Sequence, residues 1–169
     1  MDNQQERPLS IDLAWLAGMW EADGSVSLFK NNVKAKYTQY EPLLQFVNTD
    51  VLIAQEVMRI LRRIGVGYYQ FTRIQTGLGS KLRHEIRIAG FKRCSTFLRY
   101  VATYMVGQKK QRSNLIKKFI DHRLSLPVKA KYGEIEHRLY EEYEKYNESL
   151  SAESSTTNMP NTPMGEDRV

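Results

Sequence analysis

Residues Trp15 to Gly24 read WLAGMWEADG, with Ser25 following the final glycine. Ala14, Ala17, Gly18 and Glu21 fall at i, i+3, i+4 and i+7, so they share one helix face. A face this small lets a second helix approach at backbone distance. Glycine inside a helix costs about 1 kcal/mol relative to alanine, so Gly18 implies a packing reason. Leu13, Leu16 and Trp20 form a larger apolar stripe beside it, and two faces are expected to be buried. Gly24 is suited to a left-handed C-terminal cap. Asp23 then stands at the negative end of the helix dipole, where an anion is disfavoured and a cation is welcome. The same spacing also fits an ordinary amphipathic helix closing in an acidic turn.

Upstream, residues 1–9 are polar, contain Pro8 and read as a short arm. Ser10 is the expected N-cap, with Asp12 in the first turn. Downstream, SVSLFK (25–30) alternates, the polar run NNVKAK (31–36) follows as a turn region, and Tyr37 to Val47 reads as a second strand. Val26, Leu28, Leu44 and Phe46 take core parity, leaving Ser27, Phe29, Asn31, Gln39, Glu41, Leu43 and Gln45 opposite. Pro42 implies an edge, a bulge or a break in the ladder.

Any of Asn48, Thr49 and Asp50 can cap the next helix, in which Val51, Ala54, Val57, Met58 and Leu61 keep helical spacing up to the turn at 64–67. Tyr68 to Ile74 reads as a third strand, TGLGS (76–80) as a loop, and Lys81 to Ile88 as a fourth strand. Leu82, Ile86 and Ile88 suit the core, with His84 as hydrogen-bonded filler, and Arg83, Glu85 and Arg87 face away. Phe91 to Met105 carries a helical apolar stripe, interrupted by the basic and amide cluster GQKKQRSN (107–114). Leu115, Phe119 and Ile120 continue as a helix that Pro127 stops, and Tyr132 to Tyr146 marks a final charged helix. Ser149 to Val169, rich in Ser, Thr, Asn and Pro without aromatics, is expected to be disordered.

This order predicts an α+β fold: an αββαββα core with one four-stranded antiparallel sheet, helices on one face, and further C-terminal helices. One domain over residues 10–148 accounts for it. The uncovered sheet face would carry Ser27, Asn31, Gln39, Gln45, Gln70, Thr72, Arg83 and Arg87, with Phe29, Glu41 and Glu85 among them. Arginine bonds guanine bidentately and glutamine or asparagine bonds adenine, which is how a strand surface reads a major groove. A merely solvated sheet face shows the same alternation.

The 25 Lys and Arg against 19 Asp and Glu leave +6, which suits a polyanionic partner. A single cysteine, Cys94, excludes an internal disulfide framework and a Cys-rich zinc site. No secretory leader or membrane-spanning run is read, so a soluble protein in a reducing compartment, cytoplasm or organelle, is expected.

LAGMWEADGS, Leu16 to Ser25, resembles the motif that names the LAGLIDADG homing endonucleases. Leu16, Ala17, Gly18, Ala22, Asp23 and Gly24 match that name, and Glu21 keeps an acid where the name has its first Asp. Met19 and Trp20 depart from it but remain apolar. The resemblance extends over residues 10 to about 145 in the order of elements. It implies a saddle-shaped DNA-binding sheet and motif helices of two units packed at their small faces. It also implies a sequence-specific double-stranded DNA endonuclease of the intron-homing kind. No second copy of the motif occurs, so it implies a homodimer cutting a near-palindromic site, with Ala14, Ala17, Gly18 and Glu21 at the interface. Phosphodiester hydrolysis needs charge neutralisation and an activated water. The resemblance assigns Asp23 and the Ala22 carbonyl to Mg2+, with Mn2+ as a substitute and Ca2+ binding without cleavage. Lys109 matches the family's active-site basic residue, with Lys110 as its close alternative or a phosphate contact. Asn48, in preference to Thr49, matches the polar residue before the second helix. Val51-Leu52-Ile53 departs from the family, which often has a basic residue there. An RNA-splicing maturase, or a non-cleaving DNA-binding protein on the same fold, is the alternative.

Overall fold

The computed structural model describes residues 7–33, 37–74 and 81–156. Helix α1 (Leu9–Asp23) passes without a loop into strand β1 (Gly24–Val33), which pairs antiparallel with β2 (Tyr37–Asn48). Helix α2 (Val51–Arg63) leads to the second hairpin, β3 (Tyr69–Ile74) and β4 (Leu82–Ala89). Helices α3 (Phe91–Val101), α4 (Gly107–Ser125) and α5 (Glu134–Thr156) follow. The strand order is β1-β2-β4-β3, all antiparallel, so β2 and β4 join the two hairpins at the centre. The expected α+β architecture of αββαββ followed by helices is the one observed.

One sheet face is covered. Val26, Leu28, Leu44, Phe46, Ile86 and Ile88 are buried there against Leu16, Trp20, Val57, Leu61, Phe97 and Leu98 of the helices. The Trp20 ring centres this layer, with its centroid 5.6 Å from that of Phe46 and 4.5 Å from that of Phe97. Full burial of one such side chain contributes about 1.5–3 kcal/mol, so the motif helix is anchored chiefly by Trp20 and Leu16. Pro42 breaks nothing: it pairs with Leu28 of β1, and the ladder to β4 begins only at Leu43. Its missing N–H therefore falls where no ladder bond is owed. On the β1 edge, the Leu28 N–H donates to the Tyr143 hydroxyl of α5 at 3.2 Å, which covers part of the exposed strand.

Several boundaries differ from the sequence reading. Ser10 lies inside α1, not at its cap. The helix begins at Leu9 after an extended Pro8, whose carbonyl accepts from the Ile11 and Asp12 N–H groups. The basic cluster 107–114 does not interrupt helix but opens α4, since the break falls at residues 102–106. Asn31 and Asn32 belong to β1 and not to the turn. Helix α5 continues to Thr156, past the expected end of order at residue 148. Residues 1–6, the turn at 34–36, the loop at 76–80 and the tail beyond 156 lie outside the described residues. Among those described, no helix is long and apolar enough to cross a membrane.

Candidate metal site and nucleic-acid interface

The site is built where α1 ends. Gly24 is not left-handed: it is extended, with φ −95° and ψ 161°, and already belongs to β1. Its need is space. A Cβ there would lie 2.4 Å from Cδ1 of the Trp20 ring, so glycine lets the chain turn from helix to strand directly over that indole. The Trp20 Nε1 donates to the Ser25 carbonyl at 3.3 Å and closes the corner. Among the described residues, the left-handed helix terminator is Gly65 after α2, with φ 71°.

This corner leaves Asp23 exposed at the helix end, beside the last residue of β2. The Asn48 Nδ2 donates to Asp23 Oδ2 at 2.7 Å, while Asn48 Oδ1 accepts from the Asp50 N–H at 2.7 Å. The amide is thereby oriented from both ends. Asp50, not Asn48 or Thr49, caps α2, accepting from the N–H groups of Leu52 and Ile53. Asn48 is thus free for Asp23, and Thr49 makes no such contact with the described residues.

The start of α4 docks reciprocally on the end of α1. The Glu21 carboxylate accepts from the Val106 N–H at 3.0 Å, placing an anion where a helix N-terminus favours it. Lys109 returns the exchange, donating to the Trp20 carbonyl at 3.1 Å and to the Glu21 carbonyl. Burial holds the Lys109 ammonium below the ordinary lysine range; Arg112 adds to this, while Glu21 and Asp23 oppose it. Lys110 is half-buried in the same turn.

The small-residue face of α1 is present but rotated from the expected register. Ala14, Gly18 and Ala22 are exposed and in line, and a Cβ on Gly18 would meet nothing within 4 Å. Ala17 is fully buried in the chain's own core, so it is not open to a partner helix. Glu21 is engaged with α4 instead of lying on that stripe.

On the uncovered sheet face, Ser27, Phe29 and Asn31 stand opposite Leu43, Glu41 and Gln39, and Gln45 opposite Arg87. Glu85 is only 2% exposed there, accepting from Gln45 Nε2 at 2.7 Å and from Arg87, with Arg73 at 3.9 Å. It organises neighbouring donors and is not itself a free reader. Gln70 and Thr72 are on the other face. They pair with Ile86 and His84, and they line a cavity with Met58, Arg59 and Arg62 of α2. The open face instead receives Tyr69, Phe71 and Arg73, which pair with Arg87, Glu85 and Arg83. All six residues of β3 are exposed, so polarity did not distinguish its faces. The signal was the hairpin register, fixed once Ile74 is set opposite Leu82.

A hard divalent cation takes carboxylate and carbonyl oxygens and keeps several waters if it is Mg2+. Among the described residues no group of three or more His, Cys, Asp or Glu gathers. One exposed Asp23, its Oδ1 clear of Asn48, beside helix-terminal carbonyls fits a largely hydrated cation, not a closed protein cage.

The chain thus presents an exposed acid at the end of a small-faced helix, beside an open antiparallel sheet of an α+β protein. The LAGLIDADG-like domain model matches residues 10–102, more than half the chain, and the protein belongs to the LAGLIDADG homing endonuclease family, a DNA-binding fold. Solved relatives share the fold. The archaeal intron-encoded homing endonuclease I-Vdi141I, complexed with DNA, has TM-score 0.58 at 12% identity, covering 96% of this chain and 91% of that one. The homing endonuclease I-CvuI, in complex with its target in the presence of Ca, gives 0.52 at 18%, covering 82% and 96%. I-SmaMI bound to cleaved DNA gives 0.55 at 14%, covering 93% of this chain but 52% of that one. Among curated proteins no sequence match is found.

Proposed function

We propose that this protein is a homodimeric, sequence-specific double-stranded DNA endonuclease that hydrolyses phosphodiester bonds with Mg2+ and cuts a near-palindromic site. The observation that carries the reading is the Asp23–Asn48 pair: an exposed carboxylate with one oxygen fixed by an amide and the other open. Asp23, with the Ala22 carbonyl, would hold the cation, which when bound neutralises phosphate charge and acidifies a water. Mn2+ would substitute for it, and Ca2+ would occupy the site without supporting cleavage. Asn48 holds the carboxylate in one orientation and offers its amide to a water. Lys109 neutralises the α1 carbonyl end, so that an incoming phosphate meets less negative potential there. Lys110 and the uncovered sheet face meet the DNA backbone and base edges, with Ser27, Phe29, Asn31, Gln39, Glu41, Gln45, Arg83 and Arg87 as contacts.

The exposed Ala14–Gly18–Ala22 stripe supports the dimer. A twofold axis along it would bring two motif helices together at backbone distance and two Asp23 carboxylates near one duplex. That this chain spans 96% of one relative and 52% of another fits a one-unit chain acting in pairs.

A cleavage selection on a randomised palindromic DNA library, run in Mg2+ and in Ca2+, tests this directly. Cut sites are expected in Mg2+ alone, and Asp23→Asn is expected to bind the recovered site without cutting it. An Asp23→Asn protein that cuts at the wild-type rate would sink the assignment. The uncharged Val51–Ile53 turn favours the second reading, a maturase or non-cleaving binder. Intron excision that depends on the protein, with no duplex cleavage in Mg2+, would select it.

A further inference from the structure

The geometry points to Arg83 as a catalytic residue that grips the phosphate being cut, a role distinct from base reading on the sheet. This rests on the endonuclease reading above. Arg83 lies on β4 opposite Arg73, on the uncovered face, one position before the His84–Asn48 pair. It lines a cavity of about 250 Å3 with Asp23, Val47, Asn48 and Thr49, so its side chain borders the candidate metal ligand itself.

Three other cations nearby, Arg87, Arg73 and Lys109, are already engaged. Arg87 is bonded to Glu85, and Arg73 stands 3.9 Å from the same carboxylate. Both guanidinium groups also lie over the Phe71 ring, at 5.2 and 5.6 Å. Lys109 donates to the carbonyls of α1. The first turn of α2, where a basic side chain could reach the same place, carries Val51, Leu52 and Ile53. Arg83 differs. No carboxylate lies within ion-pair distance of it among the described residues, and its Nε is shielded from solvent without a hydrogen-bond partner. A half-buried guanidinium with an unsatisfied donor, facing a cavity, lacks an acceptor that the protein itself does not provide.

A phosphodiester is the acceptor of matching chemistry. Its two free oxygens suit the planar donor fork of arginine, and its approach to the Asp23 carboxylate needs an offsetting positive charge. Negative charge on those oxygens grows as the attacking oxygen bonds to phosphorus and the bridging oxygen departs. A fixed guanidinium therefore interacts more strongly with the transition state than with the bound duplex.

The test uses the full-length protein on its selected DNA site, comparing wild type with Arg83→Gln and Arg83→Lys. Single-turnover cleavage in Mg2+ at saturating protein should fall about 100-fold or more in Arg83→Gln, as for loss of one transition-state donor. Arg83→Lys should recover part of that loss. Site affinity in Ca2+ should fall by less than about tenfold, with the salt slope of log Kd reduced by about 0.9 for one lost phosphate contact. Equal saturated cleavage rates in wild type and Arg83→Gln would overturn the role of Arg83 and leave the endonuclease reading standing. A wild-type protein that cuts no site in the library would overturn both. Circular dichroism of each variant identifies a rate loss that comes from misfolding, and a loss that Arg83→Lys shares fully while folded would also count against a charge role.

Discussion

Helix α1 carries an aspartate near each end, and the protein treats the two in opposite ways. Asp12, in the first turn, is fully buried and bonded by three arginines: Arg59 at 2.8 Å, Arg63 at 2.6 Å, and Arg7. Asp23, in the last turn, is exposed and receives one neutral amide. The dipole favours the first and opposes the second. A fold that needed only to neutralise its acids would not leave the disfavoured one unpaired while placing three cations on the favoured one. Asp12 joins α1 to α2 and to the N-terminal segment; Asp23 stands exposed at the place where the proposed cation would bind.

Exchanging each carboxylate for its amide should separate the two roles. The largest effect is expected for Asp23→Asn, which should lower cleavage at least ~1000-fold, about 4 kcal/mol of barrier, with an unchanged urea midpoint. Single-turnover rates beside equilibrium denaturation read both quantities. Next comes Asp12→Asn, which should destabilise the fold by about 2–4 kcal/mol; removing one partner of a buried ion pair costs 3–5, discounted because the arginines are partly exposed.

The pH dependence has a definite sign. Burial by itself pushes the Asp12 carboxyl up, but hydrogen bonds from Arg63, Arg59 and Arg7 outweigh this and hold it below its ordinary value of 3.8. A depressed carboxyl contributes stability above its unfolded pKa and loses it as pH falls through the folded value. Wild-type melting temperature should therefore drop as pH is lowered below about 4, and Asp12→Asn should show a shallower acid limb. Equal limbs would show that the cluster does not act through ionised Asp12.

Gly24→Ala probes the corner that presents Asp23. With the new methyl against the Trp20 ring, it should cost about 1–3 kcal/mol, the range for an overpacked site. The smallest effect is expected for Gly18→Ala. In open space it should raise the stability of the separated chain by up to about 1 kcal/mol. If two α1 helices meet there, the same methyl should weaken association in sedimentation at micromolar concentration. A tighter dimer would place the contact elsewhere.

The motif stretch was legible because chemistry and spacing agreed in ten residues: the apolar stripe Leu13–Leu16–Trp20, the acid at the helix end and the stop at Gly24 all stand where the sequence puts them, though Gly24 is extended and not left-handed. What the sequence hid were facts of three-dimensional contact. Alanine suits a core and an interface equally, so Ala17 could not be told from Ala14 until α1 had neighbours. Gln70 and Thr72 looked like groove readers because they are polar, yet register decides which way a strand residue points. The aromatic residues beside them, Tyr69 and Phe71, are on the open face under arginines from β4 and α3. Asp12 was read only as a helix-start acid, since its three partners lie up to 51 residues away. Arg83 was assigned to a strand face, and its nearness to Asp23 appears only when β4 is laid beside β2.

Cys94 offers a use outside the chemistry of the site. Its sulfur is fully buried, 3.4 Å from the Ile88 carbonyl, and burial pushes the thiol up to about 12. As the sole thiol of the chain, it is closed to alkylating reagents while α3 rests on the sheet. Its labelling rate becomes a clock for the opening of that layer, readable by mass alone. The same sample can be timed free, with cation, and on DNA, so the stabilisation each ligand gives the fold can be compared without attaching any probe.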